Sequence, residues 1–174
     1  MSDFCINTER LTIRKFKTTD WEDLSEILTD ESVVYFEPYD VFTVEACKSE
    51  AENFSKSDNF FAVVLKDEDK VIGKLYFNDE GNYGTYELGY TFNRSYQGHG
   101  YAKESSIALM KYAFENMGAR RIVAYADAAN ERSWKLLEAL GMSNEGKMKN
   151  YTFKHKDENG EPIWQDMLIY ALLK

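Results

Sequence analysis

Residues 97–103 read Gln97-Gly98-His99-Gly100-Tyr101-Ala102-Lys103 and lie between a strand-like stretch and a long helical one. Small residues let a backbone approach a ligand closely. A helix start adds unpaired N–H groups and the positive end of the helix dipole. Together these make an anion site, for which a pyrophosphate is the usual occupant. A Walker loop needs G-x-x-x-x-G-K-[ST], and the Gly98 to Gly100 spacing is too short for it. A dinucleotide fingerprint would have Gly98 and Gly100 in place, but Lys103 stands where the third glycine lets helix and strand pack closely, and no βαβ unit precedes it. The other reading of the segment is a glycine turn that caps a helix and binds nothing.

The elements that must position this loop follow from residue periodicity. Residues 9–16 (ERLTIRKF) read as a first strand. Thr19 and Glu22 form a capping-box pattern, and Trp21, Leu24, Ile27 and Leu28 fall at helical spacing over 20–28. Thr43 is placed to cap a second helix with Val44, Cys47, Ala51 and Phe54 along one face. Three strands follow at 60–66, 70–78 and 85–92, the first apolar enough for a sheet covered on both faces. A helix over 101–117 carries Ile107, Met110, Ala113, Phe114 and Met117 at helical spacing, and Gly118 stops it. A strand at 119–127, a helix capped by Asn130 and ended by Gly141, and strands near 147–155 and 163–173 complete the chain. The order β-α-α-β-β-β-α-β-α-β-β predicts a mixed sheet with helices on both faces, in the α/β or α+β class.

Composition narrows the partners. The 174 residues contain 44% hydrophobic, 29% charged and 15% aromatic residues with only 2 Pro, which is a globular and not a low-complexity composition. The length suits a single domain over 1–174. A net charge of −9 argues against a nucleic-acid partner and is compatible with a cationic one. Cys5 and Cys47 form no CxxC pattern, no His/Cys/Asp cluster suggests a metal, and no serine sits in a G-x-S-x-G elbow. The N-terminal residues lack a signal-peptide pattern and no apolar run is long enough to span a membrane, so a soluble, cytoplasmic protein with no membrane partner is expected.

Gln97-x-x-Gly100-x-Ala102 resembles the Q/R-x-x-G-x-G/A loop of the GNAT N-acetyltransferase superfamily. ERLTIRKF, VIGKLYF, YELGYTF and DMLIYALL resemble the RimJ/RimL-like branch, and Asn130-x-x-Ser133-x-x-x-Leu137-x-x-Leu140-Gly141-Met142 resembles its N-x-x-S-x-x-x-L-x-x-x-G-[FM] helix. Enzymes of that branch acetylate protein N-terminal amines, and close relatives modify small amines. The resemblance implies the GNAT acyl-CoA N-acyltransferase fold, acetyl-CoA as cosubstrate, no metal, and direct transfer within a ternary complex by a monomer or homodimer.

It also implies roles, each beside a plainer reading. The segment Gln97, Gly98, His99, Gly100, Tyr101, Ala102 and Lys103 would present backbone amides to the pyrophosphate, with His99 a variable exposed position. Backbone groups of Tyr90, Thr91 and Phe92 would pair with the pantetheine arm, or these are ordinary sheet residues. Lys103 or Lys135 would meet the 3′-phosphate, or both are solvated. Glu87 would take the amine proton through water, or it is a strand glutamate facing solvent. Asn130 would cap its helix and contact CoA. Ser133 would donate to the departing sulfur, or it is a first-turn helix serine. Many family members carry a Tyr four residues after that serine, and this chain has Leu137. The acceptor would be a protein N-terminus, such as a ribosomal protein's, or a small amine such as a polyamine, amino acid or antibiotic. Its groove is expected between helices 20–28 and 43–57 and the 147–162 hairpin, and His155 is expected at the surface. The rival reading from another class is a non-catalytic acyl-CoA-binding module.

Overall fold

The computed structural model describes residues 4–174, so the first three residues of the N-terminal reading lie outside it. The strands are β1 (Cys5–Asn7), β2 (Leu11–Lys15), β3 (Phe60–Leu65), β4 (Lys70–Asp79), β5 (Thr85–Phe92), β6 (Arg121–Asp127), β7 (Ser143–Lys156) and β8 (Pro162–Leu173). The helices are α1 (Trp21–Leu28), α2 (Glu31–Val34), α3 (Val44–Lys56), α4 (Tyr101–Asn116) and α5 (Glu131–Ala139). One eight-stranded mixed sheet runs β1-β2-β3-β4-β5-β6-β8-β7, parallel between β5 and β6 and antiparallel elsewhere. The β5–α4–β6 crossover is what makes that one pair parallel. No helix among the described residues is long and apolar enough to cross a membrane.

The mixed α/β architecture is the expected one, with two short elements added. β1 and α2 are too brief for periodicity to reveal. β3 carries the apolar run covered on both faces. Phe61, Val63 and Leu65 join the core beneath α4 and α5, while Ala62 and Val64 join a second core with Leu24, Ile27, Cys47 and Phe54 of α1 and α3.

Two local expectations fail for physical reasons. Thr19 does not cap a helix. A 3-10 turn occupies Thr18–Asp20, and the Asp20 carboxylate is spent on the Arg14 guanidinium (2.7 and 2.9 Å) and the Lys17 N–H (2.8 Å). In α4 the buried stripe is Ser105, Ser106, Leu109, Met110 and Ala113, and Ile107 is exposed. Ser105 can be buried because its hydroxyl donates to the Tyr101 carbonyl at 2.8 Å. Thr43 and Asn130 do cap, each accepting a backbone N–H at 3.2 Å, from Ala46 and Ser133.

Gly73 of β4 faces the ring of Phe92 at the end of β5, and a Cβ there would lie 2.5 Å from it. Phe92 is buried and cannot swing clear. Gly73→Ala is expected to cost about 1–3 kcal/mol of stability through overpacking, a drop of several degrees in Tm by calorimetry.

Candidate active site

β5 and β6 share register only at Thr85↔Arg121, Tyr86↔Ile122 and Glu87↔Val123. Beyond Glu87 they part, β5 staying paired with β4 through Phe92 and β6 with β8 through Asp127. Two hydrogen bonds set the phase of the ladder. Arg121 N–H donates to the Gly84 carbonyl (3.2 Å), so even-numbered residues of β5 turn their backbone toward β6. Asn93 N–H donates to the Ile72 carbonyl (2.9 Å), so odd-numbered ones turn toward β4. The N–H and C=O of Tyr90 therefore face the opening. Thr91, paired with Lys74, turns its backbone to β4 instead. The Phe92 carbonyl is already occupied by the Gln97 side-chain amide at 2.8 Å. Of the three strand residues expected to offer backbone groups, only Tyr90 offers both.

The opening runs toward the glycine loop. Gly98 and Gly100 have φ of +84° and +83°, conformations that L side chains rarely adopt. Gly100 is the N-cap of α4 and has no side chain to bond the first-turn amides, which stay available to an anion. Gln97 and Tyr101 through Lys103 flank the glycines, and His99 is exposed with its ring stacked on Tyr101. Lys103 is exposed without a hydrogen-bond partner among the described residues, whereas Lys135 is paired with Glu131 at 2.7 Å on the surface.

Arg10, directly before β2, carries no signal of a site in the sequence. Its guanidinium donates to the His99 carbonyl (3.0 Å), bonds Glu104 in the first turn of α4 (2.7 Å) and stacks over the Tyr101 ring at 4.5 Å. Burial raises the Glu104 carboxyl, but bonds from the Thr8 hydroxyl and from Arg10 outweigh it and hold the group below the usual carboxylate range. Stability from this brace is present above the ordinary glutamate pKa and is lost as pH falls through the depressed one.

α5 begins beside the opening. Asn130 Oδ1 accepts the Ser133 N–H, and the Tyr90 phenol from β5 reaches the Ser133 carbonyl at 2.9 Å and its Oγ at 3.3 Å. Leu137, where a second phenol would have come from the helix, is buried in the core.

Side chains alternate along a strand. Tyr86, Leu88, Tyr90 and Phe92 face the core under α4 and α5, so Glu87 projects from the other face of the sheet. Burial and the nearby charge of Glu80 push the Glu87 carboxyl above its ordinary pKa. On that same face Thr91 Oγ1 donates to Glu37 at 2.9 Å, fastening the segment after α2 to β5. A cleft of about 390 Å³ lies between this segment (Tyr35, Phe36), the end of β6 (Asp127, Ala128, Ala129) and the β7–β8 hairpin (His155, Ile163, Trp164). α1 and α3, two of the expected groove walls, pack on the sheet and do not line this cleft, whereas the segment after α2 does. His155, expected at the surface, stacks on Tyr35 at 4.6 Å, and Lys154 donates to the Val34 and Tyr39 carbonyls at 2.6 and 2.8 Å. No group of three or more His, Cys, Asp or Glu among the described residues could hold a metal ion.

Known proteins match this arrangement. The family model of the acetyltransferase (GNAT) domain matches residues 10–143. The chain is 37% identical over 171 residues to the uncharacterized N-acetyltransferase YnaD of Bacillus subtilis, covering 97% of this chain and 96% of that one. It is 30% identical over 115 residues to the [ribosomal protein uS5]-alanine N-acetyltransferase of Escherichia coli, covering 65% of this chain and 56% of that one. A GNAT-family acetyltransferase crystal structure from Bacillus anthracis superposes with a TM-score of 0.86 at 35% identity, over 98% of each chain.

The loop geometry sets a binding test. Acetyl-CoA at ~100 times its Kd should stabilise the protein by about 2.7 kcal/mol. Gly100→Val forces a β-branched residue to φ +83° and is expected to abolish that thermal shift. Arg10→Ala, which frees the loop without distorting it, is expected to weaken acetyl-CoA binding about tenfold, or ~1.4 kcal/mol, by calorimetric titration.

Proposed function

The chain belongs to the GNAT acetyltransferase family, enzymes of the acyltransferase class that use acetyl-CoA, and from that premise we propose that residues 1–174 form one domain acetylating the α-amine of a protein N-terminus. The observation that carries the proposal is the parting of β5 from β6 directly after Glu87. It leaves an unpaired strand edge leading from the glycine loop to a half-buried carboxylate. An extended pantetheine arm has the length and amide groups to pair with such an edge, and the loop amides suit its pyrophosphate.

In this reading the Tyr90 N–H donates to the thioester oxygen as charge develops there. Glu87 takes the amine proton, directly or through water, from the opposite face. Its raised pKa brings it closer to the working pH than an ordinary glutamate, which favours a general base. Ser133 donates a hydrogen bond toward the sulfur, while Asn130 keeps the helix start in place. The acetyl group passes straight to the amine, with no covalent enzyme intermediate.

For the acceptor, a protein N-terminus fits an open cleft walled by Tyr35, Phe36, Ile163 and Trp164, all of them exposed. Such walls accept the first side chains of a peptide while its amine reaches Glu87. An α-amine of pKa ~8 also needs less help from a base than a lysine near ~10.4. The name of the Escherichia coli relative, an alanine N-acetyltransferase for ribosomal protein uS5, supports the same class. A small polyamine is the second reading, favoured by the paired carboxylates Glu80 and Glu87. Thiol release from acetyl-CoA with N-terminal peptides, spermidine and free amino acids decides between them. Peptides turning over fastest support the proposal; turnover of spermidine alone overturns it.

Glu87→Gln is expected to lower kcat by about 10²-fold with acetyl-CoA affinity nearly unchanged. In the wild type the rate should rise with pH through a limb lying above an ordinary glutamate pKa, because only the ionised carboxylate accepts a proton. The variant should lack that limb, and retention of it would remove Glu87 from the mechanism.

A further inference from the structure

The Tyr90 side chain has no part in the steps above, yet it makes the closest polar link between β5 and the first turn of α5. Its oxygen lies 2.9 Å from the Ser133 carbonyl and 3.3 Å from Ser133 Oγ. A phenol has one proton. The carbonyl can only accept, so the proton points chiefly along the shorter contact. The longer contact is the weaker branch of the same three-centre bond, so Ser133 Oγ accepts from Tyr90 and keeps its own proton free for the sulfur. Ser133 N–H is held by Asn130 Oδ1 at 3.2 Å. The N–H, C=O and Oγ of Ser133 are thus all fixed, two of them by Tyr90.

We propose that Tyr90 is the positioning residue for Ser133, holding its hydroxyl at the sulfur side of the donor site. One strand residue then places both polar groups that the thioester requires: its own N–H at the acyl oxygen and, through its phenol, the Ser133 hydroxyl at the sulfur. This rests on the reading of Ser133 given above. The helix offers no phenol of its own, because Leu137 is packed into the core.

The phenol orients and does not supply the proton. Burial pushes its pKa up to about 12, so it stays protonated throughout the working range. In the transfer step the acceptor nitrogen forms its bond to the acyl carbon as the carbon–sulfur bond breaks. The amine proton goes to Glu87. The sulfur leaves as a thiolate that accepts the Ser133 hydrogen bond and later takes a proton from water.

Tyr90→Phe keeps the ring and deletes only the oxygen, so the packing survives. It is expected to lower kcat about tenfold while the KM for acetyl-CoA moves less than about twofold, the size expected for a hydrogen bond made in the transition state. The same substitution in a Ser133→Ala background should change kcat by less than about twofold, since the group it positions is already gone. A purely structural tyrosine would slow both backgrounds equally, and that result overturns the proposal. Full kcat in Tyr90→Phe beside a slow Ser133→Ala also overturns it, leaving the Ser133 reading standing. Full kcat in Ser133→Ala removes both.

Discussion

Everything functional here hangs on one parallel strand pair that cannot stay paired. β5 is committed to β4 along its whole length and β6 to β8 along its own, and the two meet only up to Glu87 and Val123. Past that point each strand shows an unpaired backbone edge in the middle of the sheet. Buried backbone groups without partners are costly, so such an edge persists only where water or a ligand reaches it. The opening is held by packing beneath it. Leu88 and Phe92 of β5, Ala124 and Ala126 of β6, Leu109 of α4 and Leu137 of α5 share one core. The crossover helix α4 starts at the glycine loop, so the same connection that makes the pair parallel delivers an anion-binding helix start to the end of the gap.

A sheet that parts in this way has two accessible faces, and the chain furnishes them differently. One face carries carboxylates, Glu87 beside Glu80 and Glu37 on Thr91. The other carries hydroxyls, the Tyr90 phenol against Ser133. In the proposed mechanism a substrate lying between the strands loses a proton to the carboxylate face, and the departing anion is stabilised from the hydroxyl face. The β7–β8 hairpin closes the carboxylate side by anchoring Lys154 and His155 to the segment after α2.

Much of this was legible before the fold. The loop glycines, the Asn130 cap and the strand carrying Glu87 each announce themselves by local spacing, and local spacing is what periodicity reads. The chain is less legible where the decisive partner is distant. Arg10 braces the loop through Glu104, ninety-four positions away, and no pattern near Arg10 signals it. Tyr90 meets Ser133 across forty-three positions, and although the family resemblance gives its backbone a role, nothing in the sequence signals this contact of its phenol. Asp20 looks like the first residue of a capped helix until Arg14 takes its carboxylate, and Thr19 loses its helix to that ion pair. Ile107 falls at helical spacing with the other apolar residues of α4 yet is exposed, because the buried stripe runs through Ser105 and Ser106, where small size counts for more than hydropathy.

The central claim is that the gap between β5 and β6 receives the acyl-CoA arm. Amide hydrogen exchange followed by NMR, with and without saturating acetyl-CoA, tests it at single residues. The account predicts strong added protection at the Tyr90 N–H and at the amides of residues 98–103, with little change in the outer strands β1 to β3. Saturation with no added protection at Tyr90, or protection confined to another part of the sheet, would contradict it.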